Sequence, residues 1–109
     1  MPEYHKLVRD GIPELIAAGG HVCVTRVLEQ EEYITQLRAK LREEAEEYLR
    51  EDNDRLALEE LADVLEVIRA LADIHGASPE MLEQIRADKA GRRGGFQERI
   101  LLLRVEDGS

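Results

Sequence analysis

The chain reads as a mainly α-helical bundle with a small β-ribbon. Three observations carry that reading. Long stretches repeat apolar residues at three- and four-residue spacing, the period of a helix with one buried face. Aromatic residues make up only 4% of the chain and tryptophan is absent, so the core must come from Leu, Ile, Val and Ala helix packing. Two short segments, near 21–28 and 98–105, are instead rich in β-branched and aliphatic residues and read as strands. At 109 residues the chain is expected to form one domain, residues 1–109.

The elements follow in order. YHKLVRDGIPELIAAGG reads as an extended lead-in and then a short helix, with Pro13 in its first turn, where a missing N–H costs little, and Gly19-Gly20 ending it. HVCVTRVL, residues 21–28, is the first strand candidate. A long helix is expected over 29–51, with Glu29, Glu31 and Glu32 placed favourably for the helix dipole. Asp52-Asn53-Asp54 breaks it. A second long helix covers about 54–75 and is stopped by Gly76; Ser78-Pro79-Glu80 starts a third, with Ser78 as N-cap and Pro79 at the first helical position, fading near Ala90. GRRGG at 91–95 reads as a loop. FQERILLLRV, residues 96–105, is the second strand candidate and would pair with the first as a ribbon on the helices.

Charge narrows the function classes. The net charge is -9, and residues 29–66 hold 14 acids against 5 bases, so this one stretch accounts for the whole imbalance. A nucleic-acid polymer or anionic membrane would be repelled, and neither is expected as a partner. The single Cys23 allows no internal disulfide and no zinc motif. With no leader-like opening and no apolar run of about 18 residues, the expected location is cytoplasmic. Cys23, Tyr48 and Phe96 are expected in the core; His5, His21 and His75 carry no partner pattern.

Within the acidic stretch, position matters more than composition. An EEAEE run is ordinarily a solvated helix face. Yet Ile34, Leu37, Leu41, Glu44 and Tyr48 follow 3-4-3-4 spacing, which puts Glu44 where an apolar residue belongs, with Glu47 beside it. The next helix repeats the anomaly: Leu56, Glu60, Asp63, Val67, Ala70 and Ile74 form one stripe with two acids in its middle. Its other stripe, Leu58, Leu61, Leu65, Ile68 and Ala72, is wholly apolar, which predicts a substantially buried helix. Four carboxylates gathered between two helices would repel and suffer desolvation unless a cation neutralised them. An all-oxygen set suits Mg²⁺, and Mn²⁺ can substitute. A di-iron bundle would need Glu-x-x-His, absent around all three histidines, and Asp52-Asn53-Asp54 lacks the glycine of a calcium loop.

These residues resemble a known family. EExxE at Glu43-Glu44-Ala45-Glu46-Glu47, followed by ExxD at Glu60-Leu61-Ala62-Asp63, is similar to the MazG-type all-α nucleoside triphosphate pyrophosphohydrolases. KLVRDGIPELI at 6–16, KLREE at 40–44, ADVLEVI at 62–68 and Lys89 ahead of RGGF at 93–96 extend the resemblance, in order, over nearly the whole chain, toward the predicted house-cleaning branch. The resemblance implies hydrolysis of non-standard nucleoside triphosphates to monophosphate and pyrophosphate. It implies Mg²⁺ held by Glu44, Glu47, Glu60 and Asp63, with Glu43 as an outer catalytic carboxylate. Lys6, Arg9, Lys40, Lys89 and Arg93 are the bases suited to the triphosphate, and the assembly expected is a homodimer or higher homo-oligomer. Phosphoribosyl-ATP pyrophosphohydrolase, a relative by fold, is the competing activity. A non-enzymatic acidic helical module that binds a basic partner is the competing class.

Overall fold

The computed structural model describes residues 5–108, so Tyr4 of the lead-in lies outside the described residues. Four helices follow one another: α1 Ile12–Ala18, α2 Gln30–Arg50, α3 Asp54–Ile74 and α4 Pro79–Arg93. Their ends sit where local chemistry puts them. α1 carries Pro13 in its first turn, and its trailing carbonyls accept from the N–H groups of Gly19, Gly20 and His21. Gly20 takes the left-handed conformation at φ 87° that a side chain would strain. Asn53 Oδ1 accepts from Leu56 N–H at 3.0 Å to cap α3, and Ser78 Oγ accepts from Met81 N–H at 3.1 Å to cap α4.

The fold is organised by the hairpin of α2 and α3. A three-residue connection, Glu51-Asp52-Asn53, turns the chain so sharply that the two 21-residue helices lie antiparallel along their length. α4 packs more lightly, against α3. The buried apolar residues are Leu37 of α2, and Val67 and Ala72 of α3. The stripe of α3 that carries Glu60 and Asp63 is turned toward α2. The wholly apolar stripe is covered only toward its C-terminal end, where Ala72 is buried and Ile68 half-buried; Leu58, Leu61 and Leu65 are exposed, against the expectation of a helix buried on both sides.

Three further expectations are corrected. Among the described residues there is no strand: 21–28 and 98–105 form no ladder with one another, and the second begins in a turn, with Arg99 at φ 58° and its N–H bonded to Phe96 O. β-branched composition supplies a preference for extended backbone, and pairing must supply the sheet. α4 runs past Ala90 through Arg93, so the first half of GRRGG is helical; Gly94, at φ 81°, ends it, with its N–H bonded to Ala90 O. Phe96 is 95% exposed and Tyr48 lies at the edge of the seam, so neither is a core anchor, and Cys23 is only half-buried. His5, His21 and His75 are exposed.

Among the described residues no helix is long and apolar enough to cross a membrane. Because Asn53 both caps α3 and closes the α2–α3 turn, Asn53→Ala is expected to cost about 1 kcal/mol, read as a lowered midpoint in urea with an unchanged slope.

Candidate metal centre

The short turn sets the site. In an antiparallel helix pair, residues equally far from the turn lie level with one another. Glu47 is six residues before Asn53 and Glu60 seven after it; Glu44 is nine before and Asp63 ten after. The i, i+3 spacing within each helix keeps each pair on one face, so two sequence-distant motifs converge on one level of the hairpin. Donor oxygens of Glu44, Glu60 and Asp63 all lie within 4.8 Å of one another, and those of Glu43, Glu44 and Glu47 form a second such group that shares Glu44.

Glu44 is the centre of this arrangement. Only 7% of its surface is exposed, and its Oε2 is buried with no hydrogen-bond partner. Oε2 of Glu60, a half-buried residue, is likewise enclosed and unpartnered. A buried carboxylate oxygen without a donor carries the full desolvation penalty, which native structures ordinarily avoid. Both carboxyls are therefore held above the usual range. For Glu44 the causes are burial first, then the neighbouring Glu47 carboxyl, while the Lys40 ammonium opposes the shift. For Glu60 they are again burial first, then Glu47, Asp63 and Glu44. Glu47 is thus the strongest like charge felt on both helices, and Asp63 adds to it on each.

Two bases reach the cluster. Lys40, one turn before Glu44 on the same face, places Nζ 3.5 Å from Glu44 Oε1 and 3.8 Å from Glu43 Oε1. Arg9, from the segment before α1, pairs through Nη2 with Asp63 Oδ1, bridging 54 residues of sequence. The periodicity announces the first contact as an i, i+4 neighbour; no local signal announces the second. Lys89 and Arg93 stand exposed on α4, which packs on α3, and among the described residues no ion pair joins them to the carboxylates. Lys6 lies exposed in the same segment as Arg9.

The donor set fits a hard divalent cation: every donor is a carboxylate oxygen, two of the carboxylates have an enclosed oxygen without a partner, and the ion pairs to the group among the described residues come from one ammonium and one guanidinium. Di-iron or zinc chemistry would call for nitrogen or sulfur donors that this group lacks.

The sign of the pH dependence follows. Glu44 and Glu60 hold protons more tightly in the folded chain than in the unfolded one. The stabilisation gained by protonating them is present below the unfolded carboxyl range and is lost as pH rises through the raised folded values. Without metal, the melting temperature should be higher near pH 5 than near pH 7.5. Glu44→Gln should flatten that difference, and millimolar Mg²⁺ should raise the pH 7.5 value but not that at pH 5, where protons compete for the oxygens. Thermal melts of both proteins at both pH values check this; a wild-type protein more stable at the higher pH would contradict it.

A protein of Mycolicibacterium smegmatis (strain ATCC 700084 / mc(2)155), itself described only as uncharacterized, is 50% identical to this chain over 54 residues, or 50% of this chain and 55% of the relative. The chain therefore spans about half the length of the curated relative it matches. No protein-family model matches the chain, and no solved structure matches it.

Proposed function

We propose that the protein is a Mg²⁺-dependent nucleoside triphosphate pyrophosphohydrolase acting on non-standard triphosphates, releasing monophosphate and pyrophosphate. The observation that carries this reading is the buried Glu44 carboxylate, whose Oε2 has no hydrogen-bond partner, surrounded by the acids of both the EExxE and ExxD motifs. A merely solvated acidic face, the surface a basic partner protein would use, has no reason to bury an anion; that weighs against the acidic interaction module.

Glu44, Glu47, Glu60 and Asp63 would hold the cation, and Glu43 would flank them. The bound cation supplies charge for phosphate oxygens and acidifies water. The chain's own residues do the rest. A carboxylate of the group that does not engage the cation would orient that water and accept its proton. Lys40 sits where it can balance charge on the Glu43/Glu44 side, while Lys6, Arg9, Lys89 and Arg93 would meet the triphosphate. For the α4 bases this requires the α4 segment, or that of a second copy, to approach the cluster.

The same reading includes a homodimer or higher homo-oligomer. The chain exposes 10167 Å², whereas a compact monomer of 12.4 kDa exposes about 6,100 Å². Its radius of gyration is 19.0 Å against about 13 Å for a compact domain of this length. The chain thus exposes roughly 4,000 Å² more than a compact monomer, and an obligate assembly that buries about 1,000–2,500 Å² per partner need cover only part of it. The open stripe of Leu58, Leu61 and Leu65, together with Ile100, Leu101, Leu102 and Leu103, supplies its apolar part.

Two measurements test these statements. Incubation with Mg²⁺ and a panel of ordinary, deaminated and oxidised triphosphates, and with phosphoribosyl-ATP, should release pyrophosphate rather than phosphate. Glu44→Gln and Asp63→Asn should each lose at least about a hundredfold in rate while keeping their helical circular dichroism. Turnover of phosphoribosyl-ATP alone would move the substrate to the competing activity, and no pyrophosphate from any compound would remove the enzymatic reading. Light scattering on the eluting protein should give at least twice 12.4 kDa, and Leu61→Asp should shift it toward the monomer.

A further inference from the structure

We infer that Arg9 is a built-in counter-ion of the carboxylate group, occupying Asp63 when no metal is bound and surrendering it when a divalent cation enters. The inference rests on the metal-binding part of the reading above, and not on the substrate.

The placement is specific. Arg9 belongs to the segment that precedes α1, outside the helical hairpin, and its guanidinium reaches across to Oδ1 of Asp63, a carboxylate that contributes an oxygen to the group shared with Glu44 and Glu60. Electrostatics gives the contact its role. Without metal, two ion pairs among the described residues reach the carboxylate group: Lys40 answers Glu43 and Glu44 from within α2, and Arg9 answers Asp63 from α3's side. Even so, Oε2 of Glu44 and of Glu60 remain enclosed with no donor, so positive charge is still wanting at the centre. A guanidinium is always charged and cannot leave by losing its proton, as a lysine or histidine could. A divalent cation that engages Asp63 therefore meets a carboxylate already paired and a repelling charge beside it, and binds best once Arg9 has withdrawn. Both partners of the pair are partly open to solvent, at 57% and 39% exposure of their side chains, so the guanidinium can withdraw without breaking a packed contact.

Competition distinguishes this role from a structural one. Removing a residue that merely props up the site weakens metal binding or leaves it unchanged; removing a competing cation strengthens it. An exposed ion pair is worth a few-fold in affinity, and loss of a repelling charge beside a dication adds to that. Calorimetric titration of the full chain with Mn²⁺ alone, with no nucleotide, should therefore show Arg9→Ala binding roughly three- to tenfold more tightly than wild type. Arg9→Lys, which keeps the charge, should stay within about twofold of wild type. Arg86→Ala, which removes an equal charge paired to Glu83 on α4, should leave the affinity unchanged. Arg9→Gln repeats the test should the alanine variant lose helicity.

An affinity for Mn²⁺ in Arg9→Ala and Arg9→Gln equal to or weaker than that of wild type, with wild type binding measurably, overturns the role of Arg9 and leaves the metal site standing. Equal tightening in Arg86→Ala also overturns it, because the effect would then be general charge. A wild-type protein that binds no Mn²⁺ removes the metal site and this inference together.

Discussion

The structure turns on a carboxylate placed where an apolar side chain would be more stable. Glu44 sits in the seam between α2 and α3, almost fully enclosed, with one oxygen near Lys40 and the other facing no donor. A buried charge is tolerated only when something nearby lowers its energy: a proton, a paired base or a bound cation. The surrounding residues touch each option. Burial and Glu47 favour the proton, and Lys40 offers the base. Glu60 and Asp63 complete an oxygen group that a cation would fill. The hairpin that makes the core also makes this conflict, because the side of α3 that packs on α2 carries both its acids and Val67.

Much of this was legible in the sequence because it follows from helical period. The 3-4 spacing through Leu37, Leu41 and Glu44 put an acid in a seam, and the structure buries it there. Ser78-Pro79 and Asn53 marked helix starts, and both caps form. What escaped was everything that depends on partners distant in sequence. Residues 21–28 and 98–105 have the composition of strands, but a strand exists only when another lies beside it. The Arg9–Asp63 pair spans 54 residues and follows no period. The helix that runs to Arg93 fits the same account: Gly91 is a weak helix former, and the stop came only where Gly94 could adopt a positive φ.

The open surface is of the same origin. α3 has two apolar stripes, and one neighbouring helix can cover only one of them. α2 takes the acid-bearing side, with α4 too lightly packed to close the other. Leu58, Leu61 and Leu65 therefore form a row along the back of the hairpin, opposite the carboxylates. Association through that row would leave the acidic seam open to small molecules and raise the stability of the helices that shape it.

The three-residue turn at Glu51-Asp52-Asn53 also bears on how the chain folds. All five acids and Lys40 lie within the two helices it joins, so their convergence requires closing only the shortest interhelical loop in the molecule. Contacts of such low sequence separation form early and fast. The repulsion among the carboxylates is then met during hairpin formation rather than after it. Ions in the medium would act on the folding rate, and not only on the final stability.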